Sequence, residues 1–321
     1  MNSLPVRAEA SDPVPADGAV GGRRVAFARR LLLSEPQTAV GVGILAVFVI
    51  GALAAPYIAP FPPYVQAGRV YAPPSAAHWL GLDNGGFDIV SQLLYGARDS
   101  LLVGFVASVV AMVIGGGIGI LSGYVGGATD GVLMRITDYF LVIPDIPLMI
   151  VVAALFGQSQ RNIIIIIGVI YWTSVARLIR AQVKSVRERV YVRRAQAVGA
   201  SNPRILATHV IPQVVPLLIA STVVMIANAI FAETYITFLG LGNPSVISWG
   251  GMIQNALGGG AIFYRAWWAI LPPGLAVTVV VLAATMAGQG MEDALNPRLK
   301  VGHLAARRFR VRPLNGELGR E

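Results

Sequence analysis

Cysteine is absent from all 321 residues, which excludes a disulfide framework and a thiolate metal site and leaves no redox compartment to read. Histidine occurs three times, as His78, His209 and His303, far apart and beside no carboxylate cluster, so no zinc-hydrolase spacing exists. Lysine occurs twice: Lys184 follows a valine and Lys300 a leucine, so the Gly-Lys-Ser/Thr of a phosphate-binding loop is missing. Any ATP used with this chain must be bound by another. Charge is scarce too, at 13% of residues. The arginines behind the net charge of +9 gather at the ends of apolar runs, not in a patch with interleaved aromatics, which argues against a nucleic-acid partner.

What the chain has in abundance is apolar sequence. Hydrophobic residues make up 55%, with several stretches longer than the roughly 20 residues that cross a bilayer core of about 30 Å. An all-α polytopic membrane protein is expected, its partner the lipid bilayer. Six spans are placed at 38–57, 101–124, 131–156, 162–180, 213–236 and 268–290. Six is even, so both termini share a side. The N-terminal tail, residues 177–204 and residues 298–320 hold twenty Lys and Arg, whereas Arg69, Arg98, Arg161 and Arg265 are all that the other side has. By the positive-inside rule the termini and the Arg-rich loop are cytosolic. Residues 1–27, rich in Ala, Pro and Gly, read as a disordered cytosolic tail. The pair Arg23-Arg24 reads as an anchor ahead of a signal-anchor helix and not as an export signal. Residues 28–97 hold that helix and an external segment, 98–292 a membrane core, and 293–321 a cytosolic tail.

The most informative stretch lies between the fourth and fifth spans: Tyr191, Val192, Arg193, Arg194, Ala195, Gln196, Ala197, Val198, Gly199, Ala200, Ser201, Asn202 and Pro203, then Pro212. Val183, Val186, Val190 and Ala197 recur at helical spacing between arginines, so a first amphipathic helix is expected there. Gly199 supplies a stop. Asn202 before Pro203 has the form of an N-cap with proline at the first helical position, so a second short helix is expected to start there and end before Pro212. Two short helices meeting at a glycine make a cytosolic knob.

This segment resembles the cytoplasmic EAA loop of ABC importer permeases. Ala195, Gly199, Ile211 and Pro212 keep its frame, while Arg193, Arg194 and His209 depart from it. Four other stretches resemble the dipeptide, oligopeptide and nickel branch of that family. They are His78 to Asp88 with Leu82 and Phe87 at two departures; Tyr95-Gly96-Ala97-Arg98-Asp99-Ser100-Leu101; Phe238-Leu239-Gly240-Leu241-Gly242 followed by Ser248-Trp249-Gly250-Gly251-Met252; and Asp293-Ala294-Leu295-Asn296-Pro297-Arg298-Leu299. Gln289 and Asn296 stand where the family often has Asp.

The resemblance implies a type I permease core in a bacterial or archaeal inner membrane, the second (C-type) permease of a peptide importer. It implies a homologous second permease, two ATPase subunits that bind ATP and Mg, and an extracytoplasmic solute-binding protein. The chain itself carries no cofactor, no metal and no catalytic residue, and the knob transmits ATPase motion to the spans. Nickel chelates and glutathione are alternative cargoes.

Polar groups within spans cost about 2.5–3.5 kcal/mol at mid-bilayer. Arg135 and Asp138, three apart, are expected to pair on one helix face. Asp145 lies mid-span between Pro144 and Pro147, and either lines the translocation pathway or is satisfied by an interhelical hydrogen bond. Glu233, near the outer end of the fifth span, is grouped with them as a pathway candidate unless it reaches the interface. Gly115, Gly119, Gly123 and Gly127 form a bare stripe for close helix packing. Trp79 and Tyr95 read as interfacial anchors. An ion-gradient carrier would show an internal repeat and several midplane carboxylates, and an intramembrane enzyme a nucleophile with its base. Neither pattern is present.

Overall fold

The computed structural model describes residues 36–295, and these are helical with no strand among them. The expected tail at 1–27 and the motif residues 296–299 lie outside the described residues. The helices are α1 (Pro36–Ile58), α2 (Ile89–Val125), α3 (Gly127–Val142), α4 (Asp145–Phe156), α5 (Gln160–Arg187), α6 (Val190–Ala197), α7 (Asn202–Leu241), α8 (Trp249–Gly258) and α9 (Trp267–Leu295). Five are long and apolar enough to cross a bilayer, and α3 with α4 supplies a sixth, broken span.

Helix α2 runs 37 residues, about 55 Å, so it starts well outside the hydrocarbon layer that residues 101–124 were expected to cross. Asp88 caps it, its Oδ2 accepting from Ser91 N at 2.9 Å. The glycine stripe is what lets α5 approach. A Cβ on Gly119 would lie 2.7 Å from Ala176 O and one on Gly123 2.9 Å from Arg180 O, and one on Gly115 would overlap Trp172 O. The four-residue repeat on α2 thus meets Trp172, Ala176 and Arg180 on α5, two i±4 ridges in register. Gly127 does not belong to the stripe. It opens α3 at φ 57° and faces open space.

The third span is bent by 86° between α3 and α4. Pro144 and Pro147 cause the break: Pro144 cannot continue α3, and both fall where a new helix needs no N–H donor, before or within its first turn. The fifth span is longer than expected and continuous with the knob. Pro212 does not end a separate helix. A wider π turn at Leu206–Val210 gives its ring room, and the chain runs on as α7 through Pro216 to Leu241.

On the side opposite the knob, residues 59–88 form an irregular cap over the ends of α2, α8 and α9. The Tyr71 hydroxyl donates to Ala256 O at 2.9 Å and Trp268 Nε1 to Leu82 O at 3.3 Å. Trp249 is a core residue, its Nε1 donating to Leu93 O at 3.1 Å, whereas Trp79 is 70% exposed.

Candidate functional site: the knob between α5 and α7

Helix α5 ends at Arg187, and the knob is built from α6, a tight turn and the first turn of α7. The expected single amphipathic helix through residues 183–197 is interrupted at Glu188 and Arg189, and the reorientation changes which residue faces inward. Val190 is 66% exposed, and Val192 is fully buried in its place. Val192 packs in one apolar cluster with Val183 and Val186 of α5 and Ile205, Val210 and Val214 of α7. Six fully buried aliphatic side chains from three helices fasten the knob to the ends of two spans. Each contributes about 1.5–3 kcal/mol of burial.

The turn after α6 is a Schellman motif. Gly199 N donates to Gln196 O and Ala200 N to Ala195 O, both at 3.0 Å, with Gly199 at φ 82°. The stop expected of Gly199 is thus made by a left-handed turn. Ala195 and Ala200, the residues joined across the turn, both touch the apolar cluster. Among the described residues nothing lies within 4 Å of where a Gly199 Cβ would stand, so there the glycine serves the turn and not an internal contact.

Ser201, not Asn202, is the N-cap position of α7. Asn202 and Pro203 occupy its first turn, and the Asn202 side chain is turned to Tyr124 on α2. The Tyr124 hydroxyl donates to Asn202 Oδ1 at 3.1 Å and to its carbonyl at 3.3 Å. The Tyr191 and His209 rings meet at a tilt of 60° with centroids 5.9 Å apart. On the outer face Arg193, Arg194, Gln196, Ala197, Val198, Ser201, Pro203 and Pro212 are exposed. Val198 is the extreme case at 84%, a large apolar side chain at the tip of a basic projection.

The three pathway candidates do not come together. Asp138 pairs with Arg177 of α5 at 2.6 Å and not with Arg135. The facing helix offers a guanidinium across the gap, and Asp138, Arg177 and Arg135 are all exposed. Asp145 is not mid-helix: the break at Pro144 places it in the first turn of α4, exposed, where free backbone N–H groups favour a carboxylate. Glu233 does not reach an interface. It is fully buried, with the side chains of Ser100, Ser248 and Thr237 around its carboxyl and Asp99 nearby. Thr234 Oγ1 donates weakly to its Oε2 at 3.4 Å, and Oε1 has no partner. The α8 N-terminus, folded back over α7, is what encloses it.

Two polar clusters escaped the reading of the sequence. Asp130, in the first turn of α3, accepts from Arg180 Nη2 at 2.7 Å, from Lys184 Nζ at 2.6 Å and from Ser122 Oγ. The i, i+4 spacing of Arg180 and Lys184 was the available signal, but their partner follows a double-glycine turn whose direction no periodicity reveals. Asp99 bonds to Gln160 at the head of α5, a pairing that depends on how α2 and α5 align. Among the described residues no group of three or more His, Asp or Glu could hold a metal ion.

A family profile described as binding-protein-dependent transport system inner membrane component matches residues 115–301. Similar proteins include a dipeptide transport system permease protein of Alkalihalophilus pseudofirmus, 34% identical with 91% of this chain and 96% of the relative covered. A glutathione transport system permease protein of Pectobacterium atrosepticum is 34% identical over 90% and 95%. An oligopeptide transport system permease protein of Bacillus subtilis is 32% identical over 83% and 87%.

Proposed function

As the chain belongs to the family of binding-protein-dependent transport system inner membrane components, we propose that it is the peptide-carrying permease subunit of an ATP-driven importer, with the α6 knob as its ATPase dock. Three relatives are named for dipeptides, oligopeptides and glutathione, itself a tripeptide, so short peptides are the cargo class proposed. The knob, both termini and the C-terminal tail face the cytosol, in keeping with the twenty-to-four bias of Lys and Arg. A homologous second permease completes the pathway, two ATPase subunits hold ATP and Mg, and an extracytoplasmic solute-binding protein delivers cargo. This chain hydrolyses nothing itself.

The observation that carries the reading is the contrast between the two faces of the knob. Its inner face is locked to α5 and α7 through Val192, Ile205 and their neighbours. Its outer face presents Arg193, Arg194, Val198 and the corner at Gly199, exposed and, among the described residues, with no salt-bridge partner for either arginine. A lever needs both: a surface that another subunit grips, and an attachment stiff enough that a push moves the spans. When ATP closes the partner subunits, the knob is displaced as a unit. Because α7 stays helical from Asn202 through the π turn at Leu206–Val210 to Ile236, displacement at one membrane face reaches the other, where Glu233 and α8 pack on α2. The bend at Pro144 and the open faces of α3 and α4 give the second permease a place to line a shared passage, with Asp138, Asp145 and Glu233 the residues to examine there.

The test is reconstitution of the full complex with its second permease, ATPases and solute-binding protein. Val198→Asp alters only the exposed tip. ATPase turnover stimulated by loaded binding protein is expected to fall to near its basal level, with the complex still membrane-inserted. Full stimulation by Val198→Asp together with Arg194→Glu would refute the knob as the dock.

A further inference from the structure

Between α8 and α9 the chain makes a knuckle whose construction is at odds with a mere connection. Ala261 and Ala266 are fully buried and joined by a hydrogen bond from Ala266 N to Ala261 O at 2.8 Å. The four residues between them, Ile262, Phe263, Tyr264 and Arg265, are all exposed, Phe263 to 92%. Further bonds brace the loop internally, from Phe263 N to Gly260 O at 2.9 Å and from Arg265 N to Ile262 O at 3.1 Å. Among the described residues two non-glycines have positive φ, Arg265 at 52° and Tyr71 at 53°, and both belong here: the Tyr71 ring lies on Tyr264 with centroids 5.0 Å apart. Backbone strain of this kind persists only where its surroundings hold it. A braced, strained loop presenting three large apolar side chains to the outside is a built surface.

Its height in the membrane follows from α9. Residues 267–288 contain no charged or amide side chain, about 33 Å of helix at about 1.5 Å per residue, which matches a hydrocarbon core of about 30 Å. Trp267, Leu271, Leu275, Val279 and Leu282 form a continuous exposed stripe down this helix, while its other faces pack on α1 and α7. The knuckle sits directly above the head of that stripe, on the side opposite the docking knob. Residues 262–264 therefore lie in the headgroup region, the depth at which Tyr and Trp rings are most at home. Arg265 supplies the charge complementary to a phosphate, and among the described residues no carboxylate pairs with it.

We infer that residues 262–265 are a wedge for the phospholipid of the outer leaflet, with Ile262 and Phe263 inserted among acyl-chain ends and Arg265 on a lipid phosphate. Through Tyr71 on Tyr264 and Trp268 on Leu82, the wedge holds the cap of residues 59–88 against the membrane surface. The inference rests on the membrane-spanning reading above and goes beyond it by assigning a lipid contact to a loop.

The absence of native cysteine allows a direct test. Phe263→Cys, Ser75→Cys and Leu275→Cys chains are each labelled with an environment-sensitive fluorophore in vesicles of phosphatidylethanolamine and phosphatidylglycerol. Quenching is read with iodide in the water and with a nitroxide near the top of the acyl chain. The Phe263 label is expected to be quenched by the shallow nitroxide and to be about fivefold less accessible to iodide than the Ser75 label, as for a side chain at the interface. Arg265→Glu is expected to raise its iodide access at least towards that of Ser75. Equal iodide access at Phe263 and Ser75, or protection that appears only when solute-binding protein is added, would overturn the lipid assignment. If the Leu275 label were water-accessible as well, the span itself would be at fault and not merely the wedge.

Discussion

The Tyr124 hydroxyl, at the end of α2, donates to Asn202 Oδ1 at 3.1 Å across 78 residues of sequence. This ties the helix that carries the glycine stripe to the first turn of the helix that leaves the knob. Tyr124→Phe keeps the ring in its apolar place and removes only the donor. A loss of about 1 kcal/mol in thermal unfolding is expected, together with weaker stimulation of the partner ATPases. If stability fell and stimulation did not, the bond would be structural and the knob would be steered by its apolar cluster alone.

At Gly199 the turn and the proposed docking surface can be separated by choice of side chain. The residue sits at φ 82° with open space around it. Asn and Asp tolerate that backbone, while a β-branched residue adds about 1–2 kcal/mol of strain. Gly199→Asn is expected to fold and to couple, Gly199→Asp to fold but lose coupling through its charge beside the dock, and Gly199→Val to destabilise. Wild-type peptide uptake by the Asp variant would remove the corner from the docking surface.

Asp130 gathers Arg180, Lys184 and Ser122 at one end of the helix bundle. Asp130→Asn leaves two cations without their carboxylate, and a loss of about 2 kcal/mol is expected. Because all three partners meet at one group, a double-mutant cycle of Asp130→Asn with Lys184→Met should show strong non-additivity in the melting temperature. Additive effects would mean that each contact acts alone.

Glu233 is enclosed, with no basic side chain beside it among the described residues and one oxygen unpartnered. An ionised carboxylate in such a place costs several kcal/mol. Glu233→Gln preserves the shape, adds donors and removes the possibility of charge, so equal or higher thermal stability is expected. Glu233→Leu should be less stable, because Ser100 and Ser248 then face an apolar group. A marked fall with Gln would show that the site requires the ionised form.

The helix breakers acted much as their chemistry required, yet their consequences differed. Pro144 and Pro147 broke a span, whereas Pro212 and Pro216 did not. The difference is that the first pair finds the first turn of a new helix, where missing N–H groups cost nothing, and the second pair finds a π turn and a long apolar helix packed on its neighbours. Gly199 was legible as a stop because its left-handed turn is a local, single-residue property. Val192 was not legible as the buried member of the knob, since a two-residue interruption at Glu188 rotated the helical pattern away from its apparent face.

Length, apolar runs, the arginine bias and the glycine repeat are properties of the chain taken in order. They were enough to establish a helical membrane protein with a basic projection at one face. Partnerships across the bundle were decided by the tertiary structure alone: Arg177 and not Arg135 on Asp138, Ser100 and Ser248 around Glu233, Tyr71 beneath Tyr264. Burial and hydrogen-bond satisfaction depend on which surfaces are brought within a few ångströms of one another. That distance is set by helix crossings and bends, and it has no fixed relation to spacing along the chain.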